Sequence, residues 1–188
     1  MIRQFLLATC AFFGASTLAS AQDLTAFDGP YAGASLGAAS YDLEGLDDNA
    51  SGFTFGGFIG YRALVSDNWV LGGEAFAHTE TADERFTLRT AEITVEAEHS
   101  YGLDAHLGRA YGQNLYFASL GYGWTKYKTE YPDQLTGSYN DTEGGWRIGL
   151  GYERAFTTPW SLRVRGIYQD YDRDDRALRG HLDLAYRF

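Results

Sequence analysis

Apolar and polar residues alternate with a period of two along most of the chain. The clearest stretch is 93–108, where seven of the eight odd positions are apolar and no even position is large and apolar. Successive side chains of a strand point to opposite faces, whereas a helix would mix the two sets, so this pattern predicts a β-strand. Strands of soluble domains usually have about five or six residues, so the predicted strand is unusually long.

The alternation recurs often enough to predict eight strands. They centre on residues 32–38, 54–61, 69–78, 93–108, 116–125, 146–153, 160–169 and 178–188. The connections alternate in length, with short ones at 63–68, 110–114 and 157–159 and longer ones at 42–52, 79–92, 128–143 and 172–177. This asymmetry is typical of outer-membrane barrels, which have short periplasmic turns and longer outer loops.

The two faces of the predicted strands favour a membrane barrel over a soluble sandwich. An antiparallel sandwich also has one apolar and one polar face. Here, however, aromatic residues lie eight positions apart on the apolar face, as in Tyr116 and Trp124. Eight residues of a tilted strand project to about 20 Å along the membrane normal, close to the apolar band of such barrels. The polar face would then line a lumen, and a soluble periplasmic β-protein is the competing interpretation.

Residues 1–21 have the three parts of a secretory signal peptide. Arg3 gives a basic start, an apolar stretch follows, and Ala19-Ser20-Ala21 has the small-x-small form of a cleavage site. We therefore expect a signal peptide at 1–21 and a single barrel domain at 22–188, which contains no cysteine. Beyond residue 20 no apolar run approaches the roughly 18 residues of a membrane-spanning helix.

The charge balance excludes one class of partner. The chain has 15 Lys and Arg against 25 Asp and Glu, a formal net charge of −10. A nucleic-acid-binding protein needs a basic surface, so no nucleic-acid partner is expected. The 16% aromatic content argues against a disordered chain.

Three stretches give the chain a resemblance to a known family. They are Gly29-Pro30-Tyr31-Ala32-Gly33, the segment 145–162, and Leu182-Asp183-Leu184-Ala185-Tyr186-Arg187-Phe188. The mature chain resembles the eight-stranded outer-membrane β-barrel family of Gram-negative bacteria, which includes the OmpA membrane domain, OmpX and small porin-like cell-surface proteins. The resemblance implies an all-β, eight-stranded antiparallel up-and-down transmembrane β-barrel in the cell outer membrane, with both termini periplasmic. The chain stops at the barrel, so a periplasmic wall-binding domain is not expected.

The resemblance also implies partners and a role for the chain end. In this family the last strand and its terminal aromatic residue are read by the outer-membrane assembly machinery, so Tyr186 and Phe188 are the expected assembly signal. Outer-membrane lipid and lipopolysaccharide are the expected surroundings, with an unidentified surface ligand as a possible further partner. A monomer with a structural or surface-interaction role, and without a cofactor, is the expected form.

The charged residues of the polar face predict a closed lumen. An eight-stranded barrel is only wide enough inside for side chains to fill. Unpaired charges in a narrow lumen are costly, so the inward charges should form an ion-pair network that blocks water and ions. We expect one layer to contain Glu74, Asp104, Arg165 and Asp183. Arg163 and Glu153 should lie about two residues nearer the periplasm, and Arg147 and Arg179 nearer the cell surface. The alternative is a water-filled lumen in which each charge is hydrated separately.

An enzyme is the alternative function, since some related small barrels modify lipid A. A hydrolase would need a serine beside a histidine near the outer lipid edge. His99 is the best candidate, but no serine lies beside it on the same face, and Ser100, Asp104 and His106 are predicted to face the lumen. We therefore predict no catalytic site.

Acidic residues of the loops could attract a divalent cation. They are Asp42, Glu44, Asp47, Asp48, Asp172, Asp174 and Asp175. Because these residues lack the spacing of a defined calcium-binding loop, no metal site is predicted.

Overall fold

The computed structural model describes residues 24–42, 50–81, 83–88, 91–130, 139–172 and 175–188. A 3₁₀ turn at Leu24–Phe27 precedes the strands. Within these ranges the strands are β1 (Gly29–Asp42), β2 (Ala50–Ser66), β3 (Trp69–Glu80), β4 (Asp83–Leu88), β5 (Ala91–Tyr111), β6 (Asn114–Glu130), β7 (Tyr139–Ala155), β8 (Trp160–Tyr171) and β9 (Arg176–Arg187). No helix among the described residues is long and apolar enough to cross a membrane.

The strands close into a single antiparallel barrel. Strands β5, β6, β7, β8 and β9 pair in sequence order, and β9 then pairs with β1. β1 pairs with β2 and β2 pairs with β3. The pairing of β3 with β5 completes the ring. The short β4 pairs with the beginning of β5, beyond the end of β3, so it extends the line of β3 and adds no ninth strand to the ring. Over the described ranges the barrel therefore has eight strands, which confirms the predicted fold class.

The strands are longer than the sequence pattern predicts. β6 continues to Glu130 and β7 starts at Tyr139, although 128–143 was predicted to be a connection. The predicted connection 79–92 also contains β4 and the start of β5. Backbone pairing does not require apolar side chains, so the ladders extend past the point where hydrophobic alternation fades. In addition, the register of the pairing between β5 and β6 shifts between Ala97 and His99, which the continuous alternation of the sequence does not indicate.

The barrel is apolar outside and polar inside. Leu150 on the outer face is 72% exposed, whereas Arg163 on the inner face is fully buried. Every backbone N–H and C=O in a bilayer must pair within the protein, and a closed sheet achieves this. Outward aromatic residues contact one another in two zones. Tyr101, Tyr122, Trp124 and Trp146 lie toward the longer loops, and Tyr111, Tyr116, Tyr152, Trp160, Tyr186 and Phe188 lie toward the short turns.

We call the two ends the turn end and the loop end. At the turn end, Gly112 has a φ of 57° in the two-residue connection between β5 and β6, a conformation that glycine adopts without strain. Phe27 reaches into the barrel mouth there and is buried with Val70, Leu115 and Phe117. The Arg187 guanidinium donates hydrogen bonds to the carbonyl oxygens of Ala26 and Thr158, at 2.7 and 2.6 Å. The N-terminal turn is thus held across the turn end of the lumen.

Candidate functional site

Ten charged side chains are buried inside the described part of the barrel. They comprise five arginines and five carboxylates, so their formal charges balance. They are Arg62, Arg147, Arg163, Arg165, Arg179, Glu74, Glu80, Asp104, Glu153 and Asp183. An unpaired buried charge is costly, and this equality allows each charge a partner.

The centre of the lumen is a four-residue cluster that links β3, β8 and β9. Glu74 lies 2.6 Å from Arg163 and 2.8 Å from Arg165, measured between guanidinium nitrogen and carboxylate oxygen. Asp183 lies 2.7 Å from both arginines. The Tyr31 hydroxyl also donates a hydrogen bond to Glu74. Because charge-assisted hydrogen bonds are short and directional, this cluster fixes three strands across the barrel interior.

Three further pairs lie on either side of this cluster. Toward the turn end, Arg62 lies 2.7 Å from Glu153, which also accepts a 2.6 Å hydrogen bond from Ser161. Arg147 lies 3.1 Å from Asp104. Toward the loop end Arg179 contacts several groups, with Nη2 at 3.3 Å from Glu80 and donating to the hydroxyl of Tyr171 at 2.7 Å. Charged groups therefore cross the lumen at several levels.

Aromatic rings occupy the space between the charges. The guanidinium of Arg163 lies 4.1 Å from the centre of the Phe58 ring, and that of Arg147 lies 3.8 Å from the Phe76 ring. Arg62 lies 4.0 Å from the Tyr31 ring. Such cation–π contacts are favourable where the cation is removed from water. Together the rings and ion pairs contact one another across the middle of the barrel.

All eight residues predicted to line the lumen are buried there. Arg163 was expected at the level of Glu153, and the two residues lie directly opposite each other on β8 and β7. The salt bridges of the Arg163 side chain are with Glu74 and Asp183. Glu153 pairs with Arg62, which the sequence analysis had not included.

Among the described residues, Arg62 and Glu80 are the two buried charges that the sequence pattern did not predict. The predicted strands were ended at residues 61 and 78, one and two positions too early. Arg62 continues the inward series of Gly60, and Glu80 continues that of His78. Extending the period-two count to the ends of β2 and β3 would have included both.

One buried group has the composition of a cation site. Ligand atoms of Glu74, Asp104 and His106 lie within 4.8 Å of one another, and neither ring nitrogen of His106 has a hydrogen-bond partner. The two carboxylates, however, already face Arg147, Arg163 and Arg165. These three cations would repel a divalent ion, so the arrangement fits a compensated charge cluster better than a metal site.

A row of polar residues crosses the outer face at the loop end. Thr79 on β3 lies directly across from His99 on β5, and His99 lies directly across from Lys126 on β6. The Thr79 hydroxyl is 3.4 Å from Nδ1 of His99. The prediction considered only serine beside His99, and Thr79 is the hydroxyl that it missed. Ser100, Asp104 and His106 are buried on the opposite face, so none of them is beside His99.

The remaining predicted residues lie at the two ends of the barrel. Tyr186 contacts the rings of Trp160 and Phe188 at centre-to-centre distances of 5.1 Å each. The Phe188 amide donates a hydrogen bond to the carbonyl of Pro30 on β1. At the loop end, Asp172 accepts a hydrogen bond from Tyr122. The acidic residues Glu44, Asp47, Asp48 and Asp174 lie outside the described residues.

A closed sheet with an apolar exterior and paired charges inside defines the class of transmembrane β-barrels. The chain belongs to the outer membrane protein beta-barrel domain family, whose model matches residues 5–188. It is therefore an integral protein of the outer membrane, which excludes the soluble periplasmic alternative. No curated protein matches the sequence.

Solved structures of small outer-membrane barrels are similar in fold. One is Ail, the attachment invasion locus protein of Yersinia pestis, which was solved in complex with the heparin analogue sucrose octasulfate. It is 18% identical to this chain with a TM-score of 0.55, and the match covers 85% of this chain and 99% of Ail. Neisserial surface protein A has 14% identity and a TM-score of 0.61, covering 86% and 98%. The N-terminal barrel domain of Pseudomonas aeruginosa OprF has 15% identity and a TM-score of 0.52, covering 86% and 98%.

Proposed function

We propose that this protein is a closed structural barrel that presents its loops at the cell surface and conducts no solute. The turn end faces the periplasm and the loop end faces outward, as the difference in connection length supports. Residues 1–21, which lie outside the described residues, serve as the signal peptide, and the barrel functions as a monomer.

The observation that carries this proposal is the central cluster of Glu74, Arg163, Arg165 and Asp183. Its four side chains are at least 97% buried. Phe27 adds an apolar closure at the turn end. A permeating ion would have to separate paired charges in a narrow interior, which is costly.

Planar-bilayer recording of the refolded protein tests the proposal. The wild type should show only rare, brief openings, and Arg165→Ala should make them more frequent because it removes one cation from the central cluster. Arg176→Ala is the matched control, since Arg176 is an exposed arginine at the loop end, 3.7 Å from Asp170. Steady, reproducible conductance of the wild type would contradict a closed lumen.

A catalytic function is not supported by the surroundings of His99. Acyl transfer by a hydroxyl needs a histidine base that a third group orients. Thr79 is the hydrogen-bond partner of His99 among the described side chains, and no carboxylate contacts the ring there. We therefore propose a non-enzymatic role.

The acidic excess of the chain supports a positively charged partner for the loops. Because the ten buried charges among the described residues balance, the acidic excess of the chain lies among its other residues. We infer that the loops bind a cationic surface, or one bridged by divalent cations, and do not bind a sulfated glycan. The protein in detergent should pass through immobilised heparin at physiological salt, and retention there would contradict this inference.

A further inference from the structure

We propose that a groove on the outer face at the loop end binds lipid A, the phosphorylated acylated glycolipid of the outer leaflet. One acyl chain would lie in the groove, and a phosphate would contact Lys126 and His99. This inference rests on the proposed orientation of the barrel and on its place in the outer membrane.

The groove lies across β2, β3 and β5 and has a volume of about 220 Å³. Phe55 and Tyr101 form its two sides and are about half exposed. Between them lies Ala77, whose small side chain leaves the space open. An apolar channel with aromatic sides and a small-residue floor fits a flexible hydrocarbon chain.

The outer end of this groove is polar. Thr79 and His99 line it, and Lys126 lies directly across from His99 on the next strand. When the Thr79 hydroxyl donates to Nδ1 of His99, the proton of the neutral ring is on Nε2. An ammonium group and a ring N–H are then available to an oxyanion, in the charge-assisted form that phosphate favours.

The depth of the row matches the level of a lipid phosphate. Tyr101 and Trp124 stack with their ring centres 5.7 Å apart and belong to the loop-end aromatic zone. Aromatic zones of this kind mark the membrane–water interface. His99 and Lys126 each lie two residues beyond these rings, or about 5 Å further along the membrane normal for a tilted strand.

Lysine is rare in the chain, and its position is therefore of interest. The sequence has two lysines, Lys126 and Lys128, and both are near the loop end of β6. Five of the arginines are paired inside the lumen. A protein with a net charge of −10 has no general attraction for phosphorylated lipid, so binding would depend on a local site.

A second groove serves as an internal comparison. It has a volume of about 390 Å³ and lies between Phe53 and Leu178, with Ala38 on its floor. None of the described residues that line it is basic. It should accept hydrocarbon without selecting a phosphate.

Native mass spectrometry of the refolded protein in detergent tests the site. The probes are bisphosphorylated lipid A, the same lipid without phosphates, and phosphatidylglycerol. The wild type should retain bisphosphorylated lipid A about tenfold better than the dephosphorylated form, the effect of losing one charge-assisted contact. Lys126→Glu and Ala77→Phe should each reduce retention about tenfold, whereas Lys126→Arg should preserve it.

Matched variants and a folding check separate the outcomes. Ala38→Phe fills the second groove and should leave retention of bisphosphorylated lipid A unchanged. A heat-shift gel shows whether each variant is folded, and bilayer recording reports on the closed lumen independently of lipid retention. Equal retention of the dephosphorylated lipid or of phosphatidylglycerol overturns the proposal, as does wild-type retention by folded Lys126→Glu.

Discussion

Glycines on the inner face determine where the aromatic rings of the lumen can lie. Gly151 faces the ring of Phe117, and a Cβ added at Gly151 would overlap that ring. Phe117 in turn stacks on His106, with ring centres 5.1 Å apart. The glycine therefore provides space for a ring that packs on its neighbour in the lumen.

Gly151→Ala should destabilise the barrel. The added methyl group forces Phe117 to move against its neighbours, and such overpacking typically costs about 1–3 kcal/mol. Gly166→Ala is the control, because the position is exposed and a Cβ there meets no atom within 4 Å. Urea unfolding from lipid vesicles measures both, and equal stability of the two variants would contradict the role assigned to Gly151.

Residue identity alone was enough to predict most of the charged side chains of the lumen, but not which of them form ion pairs. The period-two pattern gives the face of each residue, so eight buried charges could be predicted. The pairing depends on the reach of long side chains across the barrel, as for Arg163 and Glu74, which are 89 positions apart. Local sequence contains no information about which opposing strand such a side chain meets.

The last strand, β9, completes the ring and presents the chain end at the turn end. It pairs with β1 over most of its length, from Asp42↔Arg176 to Tyr31↔Arg187. Outward residues continue along one face to Tyr186 and Phe188, whose rings are in contact. The exposed side chain of Phe188 is available to a protein that recognises this strand.

Deletion of Phe188 should impair assembly in cells more than folding in vitro. The barrel loses one exposed ring, so refolding of the purified protein into lipid should persist. We predict that the terminal aromatic residue is the assembly signal, so levels in the outer membrane should fall. Phe188→Trp retains an aromatic ring and is the control, and normal cellular levels of the deletion variant would contradict the assembly role.

Element boundaries were the least predictable feature of the strands. Apolar alternation predicts the membrane-spanning part, but β6 and β7 continue beyond it through backbone pairing from Glu143 opposite Thr125 to Tyr139 opposite Thr129. The shift between Ala97 and His99 has no counterpart in the hydrophobic pattern, because the sequence alternates through it. Strand number and direction were predictable because they depend on the repeat itself.

The ten buried charges of the described residues are neutral only when they are taken together. Removing one member of a buried pair leaves its partner uncompensated, which costs about 3–5 kcal/mol, whereas replacing both by apolar residues can be nearly neutral. Arg62→Met should therefore destabilise the barrel by several times more than Arg62→Met combined with Glu153→Leu. Thermal unfolding followed by heat-shift gel electrophoresis measures the difference.

The stability order of the single and double variants distinguishes charge neutrality from simple additivity of contacts. The double variant removes more polar contacts than the single one, including the hydrogen bond from Ser161 to Glu153. If contacts were simply additive, the double variant would be the less stable of the two. That order would contradict neutrality as the controlling property.

The position of β9 has a consequence for the time course of folding. Arg163 and Arg165 are on β8 and Asp183 is on β9, whereas Glu74 is on β3. A partly assembled sheet that lacks β8 contains Glu74 but neither of its arginines. The central cluster is therefore complete only after β9 joins β1. Contacts so distant in sequence make folding slow and cooperative, and the unfinished barrel has two unpaired edges until its last residues are in place.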